Sequence, residues 1–262
     1  MQNYTNIPGV PDFDCAEYAE LKTKYCVLIP IINEGGRIVA ELQTALAHGI
    51  DKLCDIIICD GDSTDGCTEN LAAFGVNTLL VKRGAGRQGS QLRMGFWWAL
   101  QRGYEGFITI DGNNKDSIED IPRFIAKLDA GYDFVQGSRF IKGGKAINTP
   151  LSRLIAVRLI HAPIISLAAR HWFTDTTNAY RAHLRKYIEH PSVKPFRDVF
   201  AGYELLAYLS ARASRLKLKT CEIPVTRSYP PKGKTPTKIS FFKGNLQLLK
   251  VLFKTLKGDY NP

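Results

Sequence analysis

A chain of 262 residues is long enough to bury a sizeable core, as one large α/β domain or one domain with a smaller appendage. Hydrophobic residues at 45% and charged residues at 23% exclude disorder throughout. A net charge of +10 calls for an anionic partner, and where the charge sits decides between nucleic acid, a nucleotide and an anionic membrane face.

Six cysteines (Cys15, Cys26, Cys54, Cys59, Cys67, Cys221) form no C-x-x-C pair, and several fall in apolar runs. Buried free thiols of a reducing compartment are expected, and a zinc site is not. The first residues, Met1 to Pro8, have neither a basic stretch nor an apolar one, so no secretory signal is read and a cytoplasmic protein is expected. No run of about 18 apolar residues is read, so no segment is expected to cross a membrane by itself.

Residues 1–23 are polar and punctuated by Pro and Gly, with helical character at Ala16 to Leu21, and read as a peripheral arm. Tyr25 to Pro30 reads as a buried strand. The polar turn Asn33-Glu34-Gly35-Gly36 then leads into a helix from about Arg37 to Ala47. Asp55 to Asp60 is a second buried strand, followed by Gly61-Asp62-Ser63-Thr64-Asp65-Gly66 and a helix predicted from Cys67 to Phe74. A third strand at Thr78 to Val81 runs into the glycine-rich, basic loop Lys82 to Gly89, then a helix from about Ser90 to Gln101. The strand Phe107 to Ile110 stops at Asp111, Gly112 and Asn113, which are turn formers. Strands alternating with helices in this way imply a parallel, doubly wound sheet. Asn33, Asp60, Asp62, Arg87 and Asp111 would then share a crevice at the strands' C-terminal edge. Asp60 and Asp65 also suit the capping of a following helix, and both readings stay open.

Asp133 to Gly137 is a further strand with Ser138 and Arg139 at its end. Residues 151–172 are apolar helical stretches broken by Pro163 and carrying Arg153, Arg158 and Arg170; they suit helices at a bilayer surface or an ordinary core pair. Thr220 to Arg227 reads as an edge strand because of Pro224. The basic segment Ser228 to Lys238 suits closure over a bound diphosphate. From Ile239 to Leu256, apolar residues at helical spacing among Lys243, Lys250, Lys254 and Lys257 make a basic amphipathic helix. It suits an anionic leaflet, a membrane-protein partner or the chain's own core. With charge gathered there and on the arginine-bearing helices, a membrane face explains the basic balance better than nucleic acid, for which no motif is present.

Five segments together carry a resemblance: Ile29 to Glu34, Asp60 to Gly66, Gly84 to Gly95, Asp111-Gly112-Asn113, and Gly137 to Phe140 with Gly143-Gly144. In this order they resemble the motifs of family-2 glycosyltransferases, nearest the dolichol-phosphate mannose synthase or polyprenyl-phosphate branch. The resemblance implies a GT-A-like, doubly wound, mostly parallel α/β fold with added amphipathic helices. It divides the chain into an arm (1–23), a catalytic domain (24–238, with a nucleotide-sugar half to about 130 and an acceptor half from about 131) and a C-terminal helix (239–262).

The implied function is inverting transfer of a sugar from a nucleotide diphosphate to a polyprenyl phosphate. The protein would be peripheral on the cytoplasmic face of a membrane and would contact that surface or a membrane protein. Pro30, Asn33, Glu34, Asp60, Asp62, Arg87 and Asp111 would bind the donor. Arg139 and Arg153 would take the acceptor phosphate, and Lys115 and Arg227 the departing diphosphate. A surface ion pair remains open for either acceptor arginine, and a solvated loop position for Lys115.

The family's Asp-x-Asp metal motif is Asp111-Gly112-Asn113 here, so Asp111 and Asn113 would hold Mg²⁺ or Mn²⁺ weakly, with Lys115 supplying charge in its place. Two alternatives stand beside this. One is a hydroxyl acceptor, with Asp175 or Glu204 as the base; the other is a catalytically weak protein that binds nucleotide-sugar.

Overall fold

The computed structural model describes residues 1–231 and 241–262, except for the side chains of 241–243. In chain order the strands and helices are β1 (Gln2–Tyr4), β2 (Phe13–Glu17), β3 (Tyr25–Ile31), α1 (Gly36–Ala47), β4 (Asp55–Asp60), β5 (Val76–Lys82) and α2 (Gln88–Arg102). Next come β6 (Gly106–Thr109), α3 (Ile121–Asp129), β7 (Phe134–Ser138), β8 (Lys145–Ile147), α4 (Leu151–Ala156), a π turn (Val157–His161) and α5 (Ala162–Ala169). The chain continues through β9 (Arg181–Leu184), α6 (Arg185–Ile188), α7 (Glu204–Arg215), β10 (Thr220–Pro224), β11 (Thr226–Ser228) and α8 (Phe241–Lys257).

β3 and β4 are buried along their whole length because helices cover both faces of the sheet. One large sheet runs β1-β2-β5-β4-β3-β6-β9-β7-β10, in which β2 and β9 run against the other strands. Apolar side chains above it pack with α2, α5, α7 and α8, and those below with α1 and α3. Strand order reverses between β3 and β6, and the crevice after their ends is where Asn33 and Asp111 lie. Pro30 is accommodated in β3 because the pairing with β6 has already ended at Leu28. β11 pairs with β8 in a separate two-stranded ribbon at the same edge.

Several sequence expectations change. The segment Ala16 to Leu21 is not helical: Phe13–Glu17 alternates inward and outward side chains and pairs with β5. Of the helix expected over Cys67 to Phe74, only a 3₁₀ turn at Leu71–Phe74 forms, since Gly66 and Asn70 both take positive φ and break the run. Pro163 does not break its helix. A π turn just before it absorbs the lost hydrogen bond and the ring, so Leu151–Ala169 is one continuous helix. At 19 residues and a mean hydropathy of 1.5 it is long and apolar enough to cross a membrane by length and composition, contrary to the sequence expectation. α8 buries Val251 and Leu252 against the α5 and α7 side and leaves Leu246 and Phe253 exposed. Residues 232–240, which hold the rest of the basic segment and the expected start of the C-terminal helix, and the side chain of Lys243 lie outside the described residues.

Candidate active site

The nucleoside side of the crevice is built from turns that lock one another. Asn33, at φ 48°, donates its N–H to Ser63 Oγ (2.9 Å) and accepts the Thr64 N–H at Oδ1 (2.8 Å). Asp60 is buried at the end of β4, where its carboxylate accepts the N–H groups of Asp62 (3.1 Å) and Ser63 (2.9 Å) and the Ser63 hydroxyl. Burial pushes that carboxyl up, against the pull of those bonds. Asp65 accepts the Gly35 N–H (2.8 Å), tying the two turns together. Glu34 pairs with Arg37 (2.8 Å) and Asp62 with Arg83 (2.5 Å), the latter on the surface. Asp60 therefore holds its own turn rather than capping a following helix, and Asp62 is exposed beside Arg83.

The centre of the crevice is the loop after β6. Gly112 has no alternative there, because a Cβ would stand 2.4 Å from Ile31 Cγ2. Asp111 accepts Gln88 Nε2 at Oδ1 (2.8 Å) and Arg227 Nη2 at Oδ2 (3.2 Å). Arg227 also donates Nη1 to Asp116 in a short ion pair. β11 brings it there, since Ser117 N–H bonds the Thr226 carbonyl (3.0 Å) and Ser228 N–H the Lys115 carbonyl (2.7 Å). Although burial would lower it, Asp116 and Asp111 hold the Arg227 guanidinium well above its ordinary value. Lys115 is buried beside it; burial first, and then Arg227, push its ammonium down.

Two tyrosines that sequence reasoning missed organise this charge. Around the Tyr229 ring stand Lys115 Nζ at 5.5 Å, Arg153 at 5.6 Å and Arg227 at 5.8 Å from the centroid. Burial raises the Tyr229 phenol, but Arg227, Arg139 and Arg153 outweigh it and hold it down. Tyr203, raised mainly by burial, feels Asp111, Arg87 and Arg153. Thus Arg87, Asp111, Lys115, Arg153 and Arg227 converge, with Gln88, Asp116, Tyr203 and Tyr229 added. A signal for Tyr229 existed: it stands two residues beyond Arg227, one past the end of β11, where its N–H still bonds the Ile147 carbonyl (3.0 Å) and strand alternation carries it to the side of Arg227.

Arg139 and Asp175 are tied to each other. Arg139 Nε and Nη2 grip the Asp175 carboxylate at 2.6 and 2.9 Å, and both side chains are buried. Asp175 also accepts Asn178 Nδ2 (3.1 Å), and Arg139 Nη2 reaches Thr177 Oγ1 (2.8 Å). Burial alone would raise the Asp175 carboxyl, yet Arg139 pulls it below its ordinary value, so it is a poor proton acceptor. Glu204 accepts the Gly202 N–H (2.6 Å) at the start of α7.

For a divalent ion the donor set is sparse. Asn113 Oδ1 is buried without a hydrogen-bond partner and stands two residues from Asp111, which suits coordination by one amide and one carboxylate oxygen. No cluster of three His, Cys, Asp or Glu side chains with metal-holding geometry occurs among the described residues. Mg²⁺ or Mn²⁺ fits only if a diphosphate supplies most of its ligands.

Comparison with known proteins gives the family and the fold. Residues 26–193 match the family described as Glycosyl transferase family 2. Polyprenol monophosphomannose synthase of Mycolicibacterium smegmatis is 26% identical over 206 residues, covering 76% of each chain. Undecaprenyl-phosphate mannosyltransferase of Micrococcus luteus is 29% identical over 207 residues, covering 76% of this chain and 81% of that one. Among solved structures, glucosyl-3-phosphoglycerate synthase from Mycobacterium tuberculosis, in complex with Mn²⁺, UDP-glucose and phosphoglyceric acid, superposes with a TM-score of 0.62. It does so at 16% identity over 89% of this chain and 79% of that one, a likeness of fold.

Proposed function

The chain belongs to glycosyl transferase family 2 and has the GT-A architecture of a glycosyltransferase, and from that premise we propose that it moves a sugar from a nucleotide diphosphate onto a polyprenyl phosphate at a membrane surface. The observation that carries the reading is the gathering of Lys115, Arg153 and Arg227 about the Tyr229 ring, next to Asp111. Among the described residues no carboxylate pairs with Arg153, so its fork suits a phosphate.

In this reading a phosphate oxygen of the acceptor attacks the anomeric carbon while the bond from that carbon to the diphosphate breaks, which inverts configuration. A phosphate monoester is already ionised near neutral pH, so the step needs no base. That accords with Asp175 being committed to Arg139, and Arg139 becomes a support for the acceptor side. Arg227 and Lys115 stabilise the charge that builds on the leaving diphosphate. When bound, a divalent ion at Asp111 and Asn113 would neutralise part of the same charge. Asn33, Glu34, Asp62 and Arg87 line the donor side.

The membrane surface enters through the helix that carries Arg153. Leu151, Ile155, Leu159 and Leu167 stand four or eight residues apart and are exposed, with Trp172 following. Ala162, Ile165 and Ala169 of the same helix are buried in the fold, which holds it at the protein's surface, so we assign it a position lying on the cytoplasmic leaflet.

The test is a screen of nucleotide-sugar donors against short polyprenyl phosphates and against sugar acceptors, with and without chelator. Transfer onto the lipid phosphate with inversion is expected. Transfer only onto hydroxyl acceptors, or donor binding without turnover on any acceptor, would overturn the reading.

A further inference from the structure

A second basic site lies at the far end of the membrane-facing helix. Between α5, α7 and the end of α8 is a cavity of about 320 Å³, lined by Arg170, Arg212, Arg215 and Lys257 with Leu167 and Tyr260. None of these four cations has a carboxylate partner among the described residues, although twelve such pairs occur elsewhere. Arg212 is held by the Ser192 carbonyl (3.0 Å) and Asn261 Oδ1 (3.3 Å), which fixes its fork without neutralising it. Four unpaired cations around one hollow repel one another, a cost that an anion relieves.

Next to it opens a shallow trough of about 450 Å³ walled by Pro163, Leu167 and Trp172, which shares Leu167 and Arg170 with the basic cavity. Leu167 is 66% and Trp172 68% exposed. A charged hollow that opens into an apolar trough has the two-part chemistry of an anionic lipid. From Arg153 to Arg170 the helix spans about 25 Å at 1.5 Å per residue, so this is not the reaction site.

We propose that this end of the helix binds one anionic glycerophospholipid. Its phosphate lies among Arg170, Arg212, Arg215 and Lys257, and the start of an acyl chain runs along Pro163, Leu167 and Trp172. The lipid fastens one end of the helix to the leaflet while the other end, at Arg153, faces the reaction site.

The experiment uses the full chain with phosphatidylcholine vesicles, with or without phosphatidylglycerol, and with no donor or polyprenyl phosphate present. Its outcome is therefore independent of the transferase reading. Cosedimentation should require phosphatidylglycerol and be accompanied by a blue shift in tryptophan emission that Trp172→Phe removes. The double variant Arg215→Gln/Lys257→Gln should weaken binding about 30-fold. Lys22→Gln/Lys52→Gln, the same charge change on another face, should have a much smaller effect, and Arg153→Gln little.

Equal losses in the two double variants, or equal binding to neutral vesicles, would overturn the site. So would glycerol 3-phosphate binding as tightly as dispersed short-chain phosphatidylglycerol, which would make the hollow a site for soluble phosphate. Should the double variant melt early, Lys257→Gln alone, at an exposed position, decides between the same outcomes.

Discussion

At position 113 an amide stands where a second carboxylate would add a full charge to an ion site. Asn113→Asp should therefore tighten Mn²⁺ binding in the presence of nucleotide, as titration calorimetry would read; unchanged affinity would mean that residue 113 does not face the ion. Lys115 contributes from the other side. Lys115→Gln should lower kcat about 100-fold and make activity more dependent on added metal. If a chelator abolishes activity in the parent chain, Mn²⁺ restores it and Lys115→Gln changes nothing, the lysine has no part in charge stabilisation. Asp175 offers a different kind of test. Asp175→Asn leaves the buried Arg139 guanidinium without its counter-ion, at a cost of about 3–5 kcal/mol in a urea unfolding experiment. Lost activity with full stability and an altered pH–rate profile would instead revive Asp175 as a base for a hydroxyl acceptor.

At the scale of elements, the helix α2 begins against the turn that carries Tyr203. The Arg87 N–H bonds the Ala201 carbonyl (2.7 Å), and a Cβ on Gly89 would stand 2.5 Å from the Gly202 carbonyl oxygen and 2.6 Å from that of Phe200. Gly89→Ala should cost about 1–3 kcal/mol in thermal or urea melts and raise KM for the donor as Tyr203 and Gln88 shift. An unchanged KM would show that this contact does not set the site.

The elements legible in the sequence were those with both faces buried. β3, β4 and β6 are unbroken apolar runs, and the carboxylate or turn residues that end them mark the crevice edge. What stayed hidden depended on partners distant in sequence. β2 is a strand because β5 offers it an edge, and the Arg139–Asp175 pair joins residues 36 positions apart. Lys115 and Tyr229 meet only because β11 folds back along the loop after β6. Asn113 and Lys115 stand out in the sequence as departures from a motif, but the shared aromatic platform beneath the cations is a property of packing.

For the whole molecule, groups buried in the uncharged form shape the response between neutral and mildly acid pH. His183 is enclosed by Phe96, Phe134 and Tyr187, with ring centroids 5.2–5.9 Å away, and neither ring nitrogen has a hydrogen-bond partner. Burial first, and Arg181 second, hold its pKa down to about 3, and the same causes hold His161 down to about 4. In the unfolded chain both titrate near pH 6.5, so below that pH the unfolded state binds protons the folded state refuses. Each histidine thus contributes stability that is complete above about pH 6.5 and is lost as pH falls toward the folded pKa, by up to about 1.4 kcal/mol per pH unit.

Glu41 acts in the opposite sense. It is buried, with one oxygen accepting the Asn114 N–H (2.8 Å), and burial pushes its carboxyl well up. The folded chain keeps a proton there that the unfolded chain gives up near its ordinary value, so its contribution is lost as pH rises. A bare stability curve mixes the two signs, whereas the difference between two chains that share Glu41 does not. His183→Phe, compared with the parent by urea unfolding, should gain about 2 kcal/mol on going from pH 7 to pH 5 relative to the parent. A difference that stays constant over this range would mean that His183 accepts its proton without leaving the core.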